Sequence, residues 1–488
     1  MIKKLLHILF IIPIVLFGQI QIGTDIIGEA VNDQSGIGIS LSNDGSIVAI
    51  GAKNNDGIAT NAGHVRVFQN ISGTWTQIGA DIDGVFMSDN LGYSVSLSGN
   101  GNIVAIGAIG NDSAGLSAGQ AQIYQNISGT WTQIGAGING EAADDLFGLQ
   151  ISLSDNGSVV AIAAQYNDGN GSNAGHVKIY QNISGTWTQI GTDIDGEAAD
   201  AQFGASVSLS SDGKIVAIGA IGYDSNGLGT GHVKIYQNVL GTWTQMGTNI
   251  NGVAWGDNFG TSVSLSSNGS FVAIGARLND GSGSNAGHVR IYQNISGTWT
   301  QVGADIDGEA VDDNSGSSVS LSSDGSVVAI GAPLNDGSGS NAGHVRIYQN
   351  VSGTWIQMGI DIDGTGVDYE SGKTISLSSD GTVVAIGAYG SSGFYTGKVR
   401  VFDISGVLSN NEFVLENFSI HPNPVSTTLT IQLQSNLELN TVTIYDSLGK
   451  KIKENITKTL NLSALSKGIY YVKVSTNMGE ATKTIIKN

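Results

Sequence analysis

The chain contains no cysteine. A disulfide framework and a thiolate nucleophile are therefore excluded, and at 488 residues the chain is long enough to bury a large core without cross-links. Charge is scarce as well, with Asp, Glu, Lys and Arg making 13% of the residues, about half of the 25% usual in soluble domains. What charge there is leans acidic and is unevenly spread. Residues 19–413 hold 36 acids against 11 Lys or Arg, whereas residues 414–488 hold 8 Lys and 5 acids. So acidic a body makes nucleic acid and anionic membrane surfaces poor partners of the main region, and no nucleic-acid partner is expected. After residue 18 no run is apolar enough to span a bilayer, and no segment of residues 19–406 sustains a period near 3.6. A helical solenoid is excluded on that ground, and a membrane anchor is left only as the less favoured reading of residues 1–18.

What the chain has in excess is glycine, 71 residues, roughly twice the usual share of about 7%. Turns consume it. Trp75, Trp131, Trp187, Trp243, Trp299 and Trp355 are each 56 residues apart, and the VAIGA-type run keeps the same step at Val48, Val104, Val160, Val216, Val272, Val328 and Val384. A fixed period of this size marks a supersecondary unit that buries its apolar surface against its neighbours. In the copy Trp299–Thr354 four runs, WTQVGADI, SSVSLS, SVVAIGA and HVRIYQN, are rich in β-branched or aromatic residues and end in turn chemistry. Each unit is therefore expected to be four antiparallel strands. The Asp-Gly or Asn-Gly pair between the first two, such as Asp324-Gly325, is expected to form a tight hairpin with positive φ.

There are seven cores and six tryptophan-led strands, and the ends resolve the mismatch. The last core has no WTQ strand after it, while the first is preceded by a spare one at Gln19–Gly23, which lies 56 residues before Trp75. This orphan can complete the last unit and close a ring. The expected fold is all-β, a seven-bladed β-propeller of four-stranded blades over residues 19–406, closed by the N-terminal strand and leaving only short edges.

The residues also carry a family resemblance. Phe203-Gly204 and Phe259-Gly260 before the first strand, with Gly331-Ala332-Pro333 after the second, resemble the FG-GAP repeats of integrin α-subunit heads and related bacterial surface proteins. Calcium-binding repeats of that family carry an Asp-x-Asp-x-Asp-Gly loop between the first two strands. Here only the bare Asp-Gly or Asn-Gly turn stands there.

Residues 1–18, with Lys3 and Lys4 ahead of an apolar run ending at Gly18, read as a secretory signal peptide. Residues 407–416 break the repeat and read as a linker. Residues 417–488 hold alternating runs LTIQL, TVTIYD, GIYYVKV and TKTIIKN, the pattern of a small immunoglobulin-like β-sandwich. This segment resembles the type A C-terminal sorting domain of the type IX secretion system through Pro422, Asn423 and Pro424, the Tyr445–Lys450 turn with Gly449 and Lys450, and Gly468 with Tyr470. The resemblance implies the type IX machinery as a partner and passage of the folded protein across the outer membrane. Removal of the domain, with release or attachment at the cell surface, would follow. A generic adhesion module is the alternative for this sandwich.

Catalytic chemistry has little to stand on. His64, His176, His232, His288 and His344 occupy one repeat position, which points to packing or hydrogen bonding within the blade, and no catalytic residue is assigned. The glycine-rich loops 281–287 and 337–343 precede strands, so they read as flexible connectors and not as phosphate cradles. Oxygens alternate at Asp168, Asn170 and Ser172, and again after Asp280 and Asp336. Calcium is thus a conceivable cofactor, although the bidentate glutamate that would close such a loop is missing. The Asn-Ile-Ser sites, such as Asn70, read as the turn joining strands three and four.

In a four-stranded antiparallel blade the fourth-to-first and second-to-third loops emerge at one end. By sequence these loops hold 29 of the 36 acids of residues 19–413. They also hold the large departures from repeat symmetry, Phe86, Met87, Tyr166, Tyr223, Trp255, Tyr389, Phe394 and Tyr395. Exposed aromatics on a rigid scaffold anchor recognition. The expected ligand face therefore carries Phe86, Trp255, Tyr166, Tyr223 and Tyr395 with Asp83, Asp195, Asp307 and Asp363, and would take a cationic, cation-bridged or carbohydrate ligand, an extracellular glycan or protein. The sequence reads as a secreted or surface-displayed binding or adhesion module that is not an enzyme. A hydrolase or lyase with a central site on this face, or a structural spacer, are the other readings.

Overall fold

The computed structural model describes residues 18–224, 227–390, 395–408, 418–433, 437–446, 450–476 and 479–488. Phe394, residues 1–17 of the expected signal peptide 1–18 and the turn residues 447–449 lie outside them, as do residues 409–416 of the expected linker. Two compact units are present, one spanning Ile20–Ser405 and the other including Gly406–Asn488. The chain is all-β, 51% strand and 1% helix. The one helical turn among the described residues, Ser405–Leu408, overlaps the start of the expected linker and is capped by Asp403, whose Oδ1 accepts from the amide and hydroxyl of Ser405.

The first unit is a ring of seven four-stranded antiparallel sheets. Blade 1 is built from Ser35–Leu41, Ile47–Ala52, His64–Ile71 and Thr74–Gln77, in that order from the axis outward, and the next five blades repeat the pattern. Blade 7 takes Thr374–Leu377, Val383–Ala388 and Lys398–Asp403 from the end of the repeat region and its outer strand from Ile20–Gln21. The N-terminal strand therefore closes the ring as expected. The run read as a single fourth strand is broken: Thr74–Gln77 and Ile82–Asp83 both pair with His64–Ile71, with Gly79 at φ 75° between them.

Why the second strand reads as a continuous apolar run is clear from its place. Ile47–Ala52 is buried at every residue, because neighbouring blades cover both faces of its sheet. The glycine inside VAIGA is needed for clearance. A Cβ on Gly51 would sit 1.9 Å from the carbonyl oxygen of Gly92 in the next blade, and one on Gly331 would sit 1.9 Å from that of Gly372.

Two closed circles of hydrogen bonds join the inner strands. The amide of Leu97 donates to Ser40 Oγ of the preceding blade, and the same bond recurs around the ring at 2.9 to 3.0 Å, closing from Leu41 to Ser376. At the hairpin end Asn43 donates through its amide to the carbonyl of Gly99, Gly99 to Asp155, and so on through Ser211, Ser267, Ser323 and Ser379, which returns to Asn43 at 2.9 Å. Inner strands of adjacent blades cannot form a ladder with one another, and these bonds satisfy the groups left over. Farther out, each of the six repeat tryptophans donates its indole N–H to a carbonyl of the previous blade, from Trp75 to Ile22 at 2.8 Å through Trp355 to Val302 at 2.9 Å.

The turns differ from expectation in one respect. At the first hairpin only Gly45 has positive φ, 68°, while Asp44 keeps an ordinary backbone and uses Oδ1 to accept from Ser42 Oγ and from the amide and hydroxyl of Ser46. The turn with two successive positive φ values is the other hairpin, Ser72 at 51° and Gly73 at 85°, where Asn70 Oδ1 accepts the Gly73 amide. The Asn-Ile-Ser sites are thus the turn between strands three and four.

The second unit has two sheets. One contains Phe418–His421, Thr428–Leu433 and Thr459–Asn461; the other contains Lys451–Asn455, Leu439–Asp446, Gly468–Thr476 and Gly479–Lys487. Leu429, Ile431, Val442, Ile444, Val472, Val474 and Ile485 are fully buried, which fits an immunoglobulin-like sandwich. Asn423 lies between Pro422 and Pro424 and grips the last strand, donating to Thr484 O at 3.0 Å and accepting the Ile486 amide at 2.9 Å. Lys450 closes its turn onto Asp446 Oδ1 through its amide, and Tyr470 donates its hydroxyl to Ser466 O just before Gly468. No helix among the described residues is long and apolar enough to cross a membrane.

Candidate ligand-binding face

The loops at the end opposite the hairpins are held by repeated carboxylates. Asp89 is 3% exposed; its Oδ2 accepts the Phe86 amide and its Oδ1 the Asn111 side chain, tying a fourth-to-first loop to a second-to-third loop. Asp33, Asp145, Asp257 and Asp313 do the same in their blades. Within the second-to-third loops, Asp168, Asp280 and Asp336 accept the amides of Asn173, Asn285 and Asn341 at 2.8 Å. Asn170 donates to Gly196 O, and Ser282 and Ser338 donate to Gly308 O and Gly364 O. Ser172 accepts the Asp200 amide through its carbonyl. The glycine-rich loops are therefore not flexible connectors, because partners 26 residues away in sequence pin them. The oxygens considered for calcium are the ones that shape these loops.

Part of the acidity on this face is paired with cations of the third strands. Lys178 is ion-paired to Glu141 and Asp193, Lys234 to Glu197, Arg290 to Asp305, and Arg346 to Glu309 and Asp361. The repeated histidines sit beside these pairs. Glu29, His64 and Asp81 come together, as do Glu141, His176 and Asp193; His288, Asp305 and Asp307; and Glu309, His344 and Asp361, groupings that could hold a metal ion. In each, a Lys or Arg side chain already stands among the carboxylates or next to the histidine. Burial first, and then that neighbouring cation, push His64, His176, His288 and His344 below the ordinary histidine range, so they are neutral at pH 7.

The expected ligand residues fall on this face. Phe86 and Trp255 are 64% and 73% exposed, and Met87 is 67% exposed. Trp255 and Met87 occupy one repeat position, shared by the exposed Val31, Val311 and Val367, so the rim carries an apolar circlet. Tyr166 is half-buried. Tyr395 lies against Tyr369 with ring centroids 4.4 Å apart and donates its hydroxyl to Val367 O. Tyr223 belongs to a two-residue ribbon, Tyr223–Asp224 with Gly227–Leu228. Asp195, Asp307 and Asp363 are exposed where the chain leaves the fourth strand, each paired through its backbone to a repeated histidine. Asp83 is half-buried in the same position, and burial and then Asp81 raise its pKa. Tyr389 departs from expectation. It is 9% exposed and lines the axis instead of standing on the rim.

That axis holds what the sequence did not reveal. A channel of about 300 Å³ opens on the loop face and is lined by the inner strands of all seven blades. Its lining goes no deeper than Ile39, Val95, Ile151, Val207, Val263, Val319 and Ile375, a collar of β-branched residues. Above the collar symmetry fails, since Ile37, Tyr93, Thr261, Ser317 and Lys373 line the mouth from one and the same repeat position. Lys53 places its ammonium 5.1 Å from the Tyr93 ring centre, and Lys373 pairs with the buried Glu370 at 3.6 Å. Burial lowers the pKa of Lys53. It also raises those of Tyr93 and Tyr389, helped by Tyr166 and by Glu370 respectively. The clue in the sequence was the column Lys53, Ile109, Gln165, Ile221, Arg277, Pro333 and Tyr389, which follows the most regular strand and is itself irregular.

Comparisons with known proteins agree with the architecture. Residues 251–292 match the FG-GAP repeat family, and residues 419–488 match the family described as a secretion system C-terminal sorting domain. The sorting domain marks export by type IX secretion to the cell surface or beyond. No curated relative matches the chain. Similar solved structures include a putative 6-phosphogluconolactonase from Bacteroides uniformis, 13% identical with a TM-score of 0.48 over 67% of this chain and 85% of that one. Hydrazine synthase of Kuenenia stuttgartiensis is 13% identical with a TM-score of 0.49 over 75% and 95%, and U3-55K is 12% identical with 0.47 over 78% and 98%. Likeness at this level says nothing of chemistry.

Proposed function

We propose that the propeller is a binding module without catalytic activity, carried outside the cell by its sorting domain and engaging an extracellular glycan or protein through the loop face. One observation carries the reading: residues that break the repeat, among them Phe86, Met87 and Trp255, stand exposed on loops that buried carboxylates hold rigid. Preordered aromatic anchors lose little entropy on binding. The repeated histidines, the groups best suited to proton transfer, are buried in the blades at one repeat position, which favours binding over the hydrolase or lyase reading. A glycan and matrix-protein array probed with the mature propeller tests the proposal. Ligands retained by the native protein should be lost with Trp255→Ala and Phe86→Ala. Leu240→Ser on the hairpin face, where Leu240 is fully exposed, should keep them. The opposite pattern would move the site to the hairpin face.

A further inference from the structure

Residues 19–405 contain eleven Lys and Arg, and their positions divide sharply. Seven lie on third strands. Most of these are matched to carboxylates, as in Lys178 with Glu141, Arg290 with Asp305 and Lys398 with Asp25, whereas Arg400 donates to Asp363 O. Lys214 pairs with Asp212 on an exposed hairpin. Of the remaining three, Lys373 lines the channel mouth, Lys53 rests on Tyr93, which also lines it, and Arg277 occupies in blade 5 the repeat position that Tyr389 fills in blade 7.

Among the described residues neither Lys53 nor Arg277 has a carboxylate within 4.0 Å, and Arg277 Nε is buried with no hydrogen-bond partner. Half-burying a cation without a carboxylate costs free energy, and most of the fold's other buried cations are ion-paired, Arg400 being the exception that donates to Asp363 O, so stability alone gives no reason to keep Lys53 and Arg277. The channel itself is lined by the rings of Tyr93 and Tyr389 and by neutral hydrogen-bonding groups, Thr261, Ser317 and Gln150, over a floor of Val and Ile. At about 300 Å³ the cavity is at the small end of ligand pockets, and its depth stops at the collar.

We propose that the channel mouth binds the anionic terminal sugar of an extracellular glycan, its carboxylate or sulfate held between Lys53, Arg277 and Lys373 and its ring against Tyr93 and Tyr389. The inference rests on the reading of this face as the binding face and adds the class of ligand. The acid-rich rim gives specificity. It repels a chain charged along its length while the centre accepts one isolated anion, so exclusion and attraction act together.

The test is calorimetric titration of the mature propeller with three oligosaccharides of equal length: one with a single terminal uronate, one with a single terminal sulfate, and the neutral parent. The proposal expects one or both anionic sugars to bind and the neutral one to bind at least about tenfold more weakly. Binding should weaken with salt and fall about tenfold in Lys53→Gln or Arg277→Gln, with unchanged circular dichroism. Which arm binds separates carboxylate from sulfate. Equal binding of the neutral sugar, full affinity in both variants, or no binding by any of the three would overturn the site. Should the glycans bind and respond to Trp255→Ala but not to Lys53→Gln, this inference fails while the binding reading stands.

Discussion

The hairpin end of the propeller and the mouth of its channel are built from the same seven inner strands, yet they obey different rules. At the hairpin end every blade contributes the same leucine amide and serine hydroxyl, and the bonds run round the axis without a gap. At the mouth, a few residues away along each strand, no two of Ile37, Tyr93, Leu149, Ala205, Thr261, Ser317 and Lys373 are alike. Repetition is what a ring needs to close, because each blade must fit the next one as the last fits the first. A ligand without sevenfold symmetry needs the reverse. The difference separates residues that hold the fold from residues available for recognition, and this can be broken or sharpened by experiment.

The largest effect should come from opening the ring. Deleting residues 19–27 removes the outer strand of blade 7, the buried Ile26, the acceptor of the Trp75 indole and the acceptor of the Arg66 guanidinium. It also exposes Lys398–Asp403 as an edge. Burial of the isoleucines together with the stranded donors predicts a loss of at least about 5 kcal/mol, read as a lowered Tm and as aggregation. A melt unchanged from the full propeller would mean that closure contributes nothing.

A smaller effect follows from the repeated histidines. His64, His176, His288 and His344 have folded pKa values below the unfolded value near 6.5, first because they are buried and then because of Arg66, Lys178, Arg290 and Arg346. The unfolded chain therefore binds more protons as pH falls through and below 6.5, and the stability these groups supply, complete above that pH, is lost progressively toward the folded pKa values. Each can contribute a slope of up to about 1.4 kcal/mol per pH unit in that window. Tm should fall between pH 7.5 and 5, and His176→Gln should flatten the slope. A Tm that rises on acidification would contradict the assignment of neutral imidazoles.

The sequence disclosed the repeated part of this comparison and concealed the other. Blade number and strand pattern were legible because each is local and recurs in every copy, and closure because the single orphan strand at Gln19–Gly23 keeps the 56-residue register. The grip of Pro422, Asn423 and Pro424 on the last strand was legible as a motif, though not as the pair of hydrogen bonds from Asn423 that explains it. Turn geometry was misread at Asp44, where a side chain that tolerates positive φ is used instead as an acceptor for Ser42 and Ser46. The glycine-rich loops looked slack because their partners are remote, as with Ser282 and Gly308. The mouth was hidden for a related reason. Lys53, Arg277 and Lys373 lie in blades 1, 5 and 7, far apart along the chain, and only closure of the ring brings their repeat positions round one axis.

The smallest effect on stability is expected at that axis, and its sign is the informative part. Lys53→Gln and Arg277→Gln remove half-buried charges that have no carboxylate partner among the described residues, so the desolvation they impose is relieved and little favourable pairing is lost. Tm should stay unchanged or rise slightly, within about 1 kcal/mol, in the direction seen where groups kept for function carry a stability cost. The control is Arg290→Gln, which strands Asp305 beside His288 and should destabilise by about 1 to 3 kcal/mol. Thermal melts of the three variants at pH 7 decide the matter. Should all three lose stability alike, Lys53 and Arg277 would be parts of the framework, and the contrast between a repeated scaffold and an unrepeated mouth would lose its physical basis.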